Sequence, residues 1–176
     1  MNILLIYPNV AESPKDISLK TIFSILKKNN HEVELMSSQF KISLNKTIKK
    51  ITTFNPDLVV ITTPTNDSLY NAINICNLIK KIKNVHIICG GYHATISPEN
   101  IISQNCFDIV AIGKAESSFL KLIKSLEVGR MNNYLWYPYP PSKKKHSYNY
   151  VISNYKINNL WFKKDGKIIK NRIVNN

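Results

Sequence analysis

The chain has 176 residues, 44% of them hydrophobic, which suits one domain with a real core, or one domain and an extension. No apolar run approaches a membrane span, and the apolar start Met1–Tyr7 lacks a signal peptide's basic lead-in and cleavage site. The formal charge of +13 is densest in residues 131–176, which hold 9 basic residues and 1 acidic one; almost every base is Lys, so a solvated lysine surface is favoured over a nucleic-acid footprint. A cytoplasmic protein is expected.

Strand and helix patterns then alternate along the chain. Asn2–Tyr7 is a continuous apolar run that reads as a first strand. Leu19, Ile22, Phe23 and Leu26 make one helical face, with Ser13-Pro14 as a start signal and Asn29-Asn30 as a stop. His31–Met36 alternates as an edge strand. Leu44, Ile48 and Ile51 mark a second helix ended by Asn55-Pro56. Asp57–Thr62 is the third strand, residues 67–83 a helix facing inward through Leu69, Ile73, Cys76 and Ile79, and Val85–Cys89 the fourth strand. Ser97-Pro98-Glu99 opens a short helix, Asp108–Ile112 is the fifth strand, and Phe119, Leu122, Ile123 and Leu126 form the last helical stripe.

Five such units predict an α/β fold: a five-stranded, doubly wound parallel sheet of flavodoxin-like or Rossmann-like type. The order is 2-1-3-4-5, because the second strand is the most polar and fits an edge. Residues 1–130 form this domain. Residues 131–176 form an aromatic, basic linker and extension with a hairpin turn at Asp165-Gly166. Tyr134, Trp136, Tyr137, Tyr139, Trp161 and Phe162 cluster there with Pro138, Pro140 and Pro141, which reads as an interface with another domain before it reads as base stacking.

Ligands of such a sheet sit at the strands' carboxyl ends. The turns there hold Pro8-Asn9, Thr62-Thr63-Pro64-Thr65, Gly90–Thr95 and Gly113–Glu116. They lack a phosphorelay acidic pair, a flavodoxin phosphate loop, a dinucleotide Gly-x-Gly-x-x-Gly and a nucleophile elbow. Asp57 sits at the wrong end of its strand for phosphoacceptor chemistry. What survives is a platform of small and hydroxyl residues suited to a large planar ligand. Cys76, Cys89 and Cys106 are widely spaced and read as packing residues.

The run Cys89-Gly90-Gly91-Tyr92-His93-Ala94-Thr95, followed by Ser97-Pro98-Glu99 and by Phe107–Glu116, resembles the cobalamin-binding domain of B12-dependent radical SAM proteins. That family shows Gly-Gly-x-His-Ala-Thr, then Pro-Glu, then a strand ending Gly-Glu-Gly-Glu. Ile3–Pro8 and Pro56–Thr62 resemble it too, in order, so the likeness covers residues 1 to about 128. Residues 150–174 resemble the hairpin that leads into the radical SAM barrel.

The resemblance implies a cobalamin-binding module. Thr62, Thr63 and Thr65 would offer hydroxyls along the groove, while Gly90 and Gly91 would let backbone approach the nucleotide tail. Tyr92 and His93 would wall the groove, Gly113 and Glu116 would close it, and Pro8 and Asn9 would lie near the corrin face. Departures also count. The first turn has no Asp-x-His-x-x-Gly, so no histidine from that loop is expected on cobalt. The final motif is Gly113-Lys114-Ala115-Glu116. No Cys-x3-Cys-x2-Cys occurs, so no 4Fe-4S site and no catalytic residue is expected in this chain. A truncated relative, or one whose catalytic partner (a radical SAM domain or another protein) meets residues 131–176, is implied. No metal-ligating side chain is assigned.

Plainer readings stand beside these. His93 could cap a helix, the threonines could satisfy strand-end amides, Glu116 could answer a helix dipole, and His31 and His86 could be structural. Two other functions are also open: a degenerate fold serving as an interaction module without cofactor, and a basic nucleic-acid binder.

Overall fold

A computed structural model describes residues 1–8, 17–37, 42–135 and 150–174. Asn9, the Ser13-Pro14 start signal, and residues 136–149 with their aromatic, proline and lysine runs lie outside the described residues.

The described chain runs β1 (Asn2–Tyr7), α1 (Ile17–Lys28), β2 (Glu32–Ser37), α2 (Leu44–Phe54), β3 (Leu58–Thr62), α3 (Asn66–Ile82) and β4 (His86–Gly90). It continues through α4 (Tyr92–Ile96), α5 (Pro98–Ser103), β5 (Ile109–Ala111), α6 (Glu116–Leu135), β6 (Leu160–Lys164) and β7 (Lys167–Lys170). The sheet order is β2-β1-β3-β4-β5-β6-β7. The first five strands are parallel, and β6 and β7 add antiparallel beyond β5.

The expected order 2-1-3-4-5 is therefore present, but the strand count is seven rather than five. The C-terminal hairpin is part of the sheet. Its Asp165-Gly166 turn has φ of 48° and 74°, the left-handed pair that a two-residue hairpin loop requires. Trp161 and Phe162 are 6% and 0% exposed. They fill the chain's own core, which corrects the expectation that they serve an interface with another domain. The physical reason is the alternation of β6, whose successive side chains enter the two cores on opposite faces of the sheet.

The same alternation organises every central strand. Leu4, Ile6, Val59, Ile61, Ile87 and Cys89 face a core closed by α2, α3, α4 and α5. Ile3, Leu5, Leu58, Val60 and Ile88 face a second core closed by α1, α6 and the segment 150–157. Strands buried on both faces are continuously apolar, which is why these runs were legible.

Helix boundaries follow local chemistry. Asn30 and Asn55 take left-handed φ of 59° and 51° just beyond α1 and α2, a conformation asparagine tolerates. The Ser43 hydroxyl accepts the Lys46 N–H at 3.2 Å and caps α2. The helix marked by Leu44, Ile48 and Ile51 is present as α2; its buried residues are Thr47 and Ile51, while Leu44 and Ile48 are 52% and 39% exposed. Among the described residues, no helix is long and apolar enough to cross a membrane.

Segment 150–154 is zipped onto α6. The Ser125 hydroxyl accepts the Asn154 N–H at 2.7 Å, and the Ser153 hydroxyl donates to the Ser125 carbonyl at 2.7 Å. Gly129 makes this approach possible, because a methyl there would run into the Val151 carbonyl. At the sheet's amino edge, Asp57 accepts the Asn2 N–H at 2.8 Å. Asp108 accepts from the Lys80 ammonium at 2.6 Å and the Ile87 N–H at 2.7 Å. Both carboxylates are framework groups, far from the carboxyl ends of the strands.

Candidate functional site

Three of the expected turns, the second, third and fourth, follow β3, β4 and β5 and meet along the carboxyl edge of the parallel strands, and Pro8 leaves β1 at the same edge. Parallel pairing in register fixes this convergence: Ile6 lies opposite Ile61, Thr62 opposite Gly90, and Cys89 opposite Val110.

Pro8 leaves β1 buried. Thr62 ends β3 at 6% exposure, and Thr63 is wholly buried. The Thr63 N–H and hydroxyl both reach the Gly90 carbonyl, at 2.9 and 3.2 Å, and its carbonyl accepts the His93 N–H at 3.0 Å. Its hydroxyl also lies 3.5 Å from the Cys89 sulfur. Thr63 is thus the clasp that joins the second turn to the third. Thr65 caps α3 in a capping box: its hydroxyl accepts the Ser68 N–H at 3.2 Å while its own N–H donates to the Ser68 hydroxyl at 3.0 Å. The Thr63 and Thr65 hydroxyls, both expected to face a ligand, are thus engaged within the protein.

Gly90 and Gly91 differ in kind. Gly91 has φ of +99°, and a Cβ there would meet the Thr62 hydroxyl at 2.5 Å and the Thr63 nitrogen at 3.0 Å. The fold itself requires glycine at 91, for backbone conformation and for closeness to the second turn. Glycine is needed at 91 whether or not a ligand approaches its backbone. Gly90 has no such constraint: its Cβ would touch only the Ala111 Cβ, at an ordinary 3.7 Å. Its bareness, beside Ala111, leaves the end of β4 flat.

Tyr92 opens α4 with 69% of its surface exposed, while His93 is 8% exposed. The His93 Nε2 is buried without a hydrogen-bond partner among the described residues. An unpaired buried polar atom costs about 1–3 kcal/mol, so a group that satisfied it would recover that amount. Of the described histidines it is the one at this edge. His31 and His86 stand at the amino ends of β2 and β4; His86 Nε2 donates to the Tyr150 carbonyl at 2.7 Å, and burial lowers the basicity of both rings.

The fourth turn holds Gly113 at φ +64°, exposed Lys114 and half-buried Glu116, the acidic residue in the first turn of α6. Two residues not assigned from sequence hold this turn. Thr95 accepts the Gly113 N–H at 3.0 Å and donates to the Gly91 carbonyl at 3.1 Å, bridging the third and fourth turns. Asn159 donates to the Lys114 carbonyl at 3.3 Å. Thr95 lies inside the Gly-Gly-x-His-Ala-Thr run, which was the available signal; Asn159 is 45 residues from its partner and gave none.

Cys76, Cys89 and Cys106 all lie buried in one core. Burial pushes the Cys89 thiol up to about 12, so it stays neutral and acts as a packing group. Among the described residues, no three His, Cys, Asp or Glu side chains are grouped to hold a metal ion.

Residues 5–123, which include the turns after β3, β4 and β5, match the family described as the B12 binding domain. An uncharacterized methyltransferase of Pyrococcus horikoshii is 29% identical over 140 residues, spanning 74% of this chain and 30% of that protein. Two solved structures share the fold. The radical S-adenosylmethionine methyltransferase TsrM from Kitasatospora setae, with cobalamin and a 4Fe-4S cluster bound, superposes with TM-score 0.74 at 15% identity, over 97% of this chain and 28% of its own. The cobalamin-dependent S-adenosylmethionine radical enzyme OxsB, with aqua-cobalamin and S-adenosylmethionine bound, gives 0.69 at 18% identity, over 98% and 22%. The chain thus spans less than a third of each of these proteins. With five parallel strands in this order, their turns gathered on one edge and a family match over residues 5–123, the chain belongs to the B12-binding domain family.

Proposed function

We propose that this domain binds cobalamin along the carboxyl edge of its parallel strands and presents it to a partner, without catalysing a reaction alone. The residues assigned to the cofactor are Pro8, Asn9, Thr62, Thr63, Thr65, Gly90, Gly91, Tyr92, His93, Gly113 and Glu116. The partner is a radical SAM domain or another protein meeting residues 131–176, and no histidine of the first turn serves cobalt.

The residues present fit such a group. Gly90 beside Ala111 leaves a flat strip, and Gly113 has only the Asn159 amide within 4 Å of where its Cβ would stand. His93 keeps a buried nitrogen that has no partner among the described residues. When bound, cobalamin supplies a cobalt centre that can carry an alkyl group. This chain's own residues have simpler tasks. Thr63 and Thr95 hold the second, third and fourth turns in fixed relation, so the edge is organised before a ligand arrives. Pro8 and Tyr92 limit access to it, and His93 offers one hydrogen-bonding atom.

The observation that carries the proposal is the bare strip at Gly90 within that locked edge. Gly90→Leu is its test, because neither the local backbone nor a close contact forbids a Cβ at this position. Equilibrium dialysis against hydroxocobalamin should show binding weakened about tenfold or more, with the circular dichroism spectrum unchanged. Unaltered affinity in a folded Gly90→Leu protein would remove this edge as the binding surface.

A further inference from the structure

Asn159 is 3% exposed and takes a left-handed φ of 62°, immediately before β6. All its hydrogen-bonding groups are engaged, and they reach only two segments. One is the turn after β5: the Asn159 carbonyl accepts the Ile112 N–H at 2.9 Å, and its Nδ2 donates to the Lys114 carbonyl at 3.3 Å. The other is the chain leaving β7. The Asn159 N–H donates to the Arg172 carbonyl at 2.9 Å, Nδ2 donates to the Val174 carbonyl at 3.0 Å, and Oδ1 accepts the Val174 N–H at 2.8 Å.

Gly113 and Lys114 are exposed residues, and glycine's conformational freedom makes such a turn costly to order. On the β4 side Thr95 fixes the Gly113 N–H. On the other side Asn159 does the fixing, and it does so while holding residues 172–174. We infer that Asn159 is a positioning residue of the cofactor edge, through which ligand binding at the Gly113–Glu116 turn and order in residues 172–174 reinforce each other. This rests on the cobalamin proposal above. Such coupling is reciprocal: whatever the ordered exit segment adds to affinity, the ligand returns as protection of that segment.

The test uses the full chain and hydroxocobalamin. Asn159→Gly keeps the left-handed backbone accessible and removes the side-chain bonds. Gly129→Ala is the control, a variant strained against the Val151 backbone that removes none of the Asn159 hydrogen bonds. Two readouts are taken below the melting temperature of every variant: hydroxocobalamin affinity, and amide hydrogen exchange at residues 172–174 with and without the ligand.

In the wild type, hydroxocobalamin should slow exchange at 172–174 by about fivefold or more. Asn159→Gly should bind about tenfold more weakly and lose that ligand-dependent slowing, while Gly129→Ala keeps both. Wild-type exchange at 172–174 that ignores bound hydroxocobalamin overturns the inference without any variant. So does an Asn159→Gly protein matching wild type, or one weakened only as much as Gly129→Ala; in these cases cobalamin binding itself stands. A wild-type chain that retains no hydroxocobalamin overturns both.

Discussion

Two adjacent glycines show how differently one residue type can be used. Gly91 combines φ of +99° with two close contacts to the second turn, whereas Gly90 sits in a strand beside a small neighbour. Gly91→Ala should therefore destabilise the fold by about 2–4 kcal/mol through backbone strain and crowding together. Gly90→Ala should change stability by less than about 1 kcal/mol. Urea unfolding of both variants checks this, and equal losses would remove the distinction. His86 makes a second residue-scale case. Its Nε2 proton is held by the Tyr150 carbonyl, so an added proton must enter at Nδ1. Burial, outweighing the attraction of Asp108, lowers the ring's affinity for that proton in the folded chain. The unfolded chain then binds protons more strongly, so stability is full above the ordinary histidine value of about 6.5 and falls as pH drops through it. Melting temperature should decline from pH 7.5 to pH 5, and His86→Gln should flatten the decline. A profile just as steep in His86→Gln would assign the loss to other groups, with His31, also lowered by burial, the next to examine.

At the scale of elements, the parallel strands and their covering helices were readable because each carries one simple pattern. Two-sided burial made continuous apolar runs, and one-sided burial made the Phe119, Leu122, Ile123 and Leu126 stripe, all four of which are buried. Some patterns carry two physical explanations at once. Thr65 presents a hydroxyl near a ligand edge, yet it is also an excellent helix cap, and the structure uses it as one. Leu44, Ile48 and Ile51 mark the helix by their spacing, and of these α2 turns Ile51 to the core, together with Thr47. Tyr92–Ile96 was too short and too close to its glycines to be read as the helix α4. Strands β6 and β7 were seen as a hairpin, but their docking on β5 depends on contacts across some fifty residues, which local pattern does not encode. That docking has a measurable consequence. Phe162→Ala should cost about 3–5 kcal/mol of global stability, because the ring fills the core shared with α6. A hairpin that melts separately, leaving the main transition where it was, would contradict the seven-stranded sheet.

At the scale of the whole molecule, the sheet separates two kinds of polar group. Its amino edge is stitched by Asp57, Asp108, Lys80 and His86, whose partners are all within the fold. Its carboxyl edge carries the glycines, the clasp threonines and the unpartnered His93 nitrogen. Doubly wound topology alone would direct a ligand to that second edge, but many ligands use such sheets. The narrower conclusion came from the Gly90–Thr95 run together with the family match over residues 5–123. The most direct measurement is a visible-absorption titration of hydroxocobalamin with the wild-type chain, followed by gel filtration. One equivalent of pigment should travel with the protein, with a spectrum shifted from that of the free cofactor. Colourless protein eluting after incubation at about tens of micromolar cofactor, an affinity too weak for a resident cofactor, would contradict cobalamin binding by this domain.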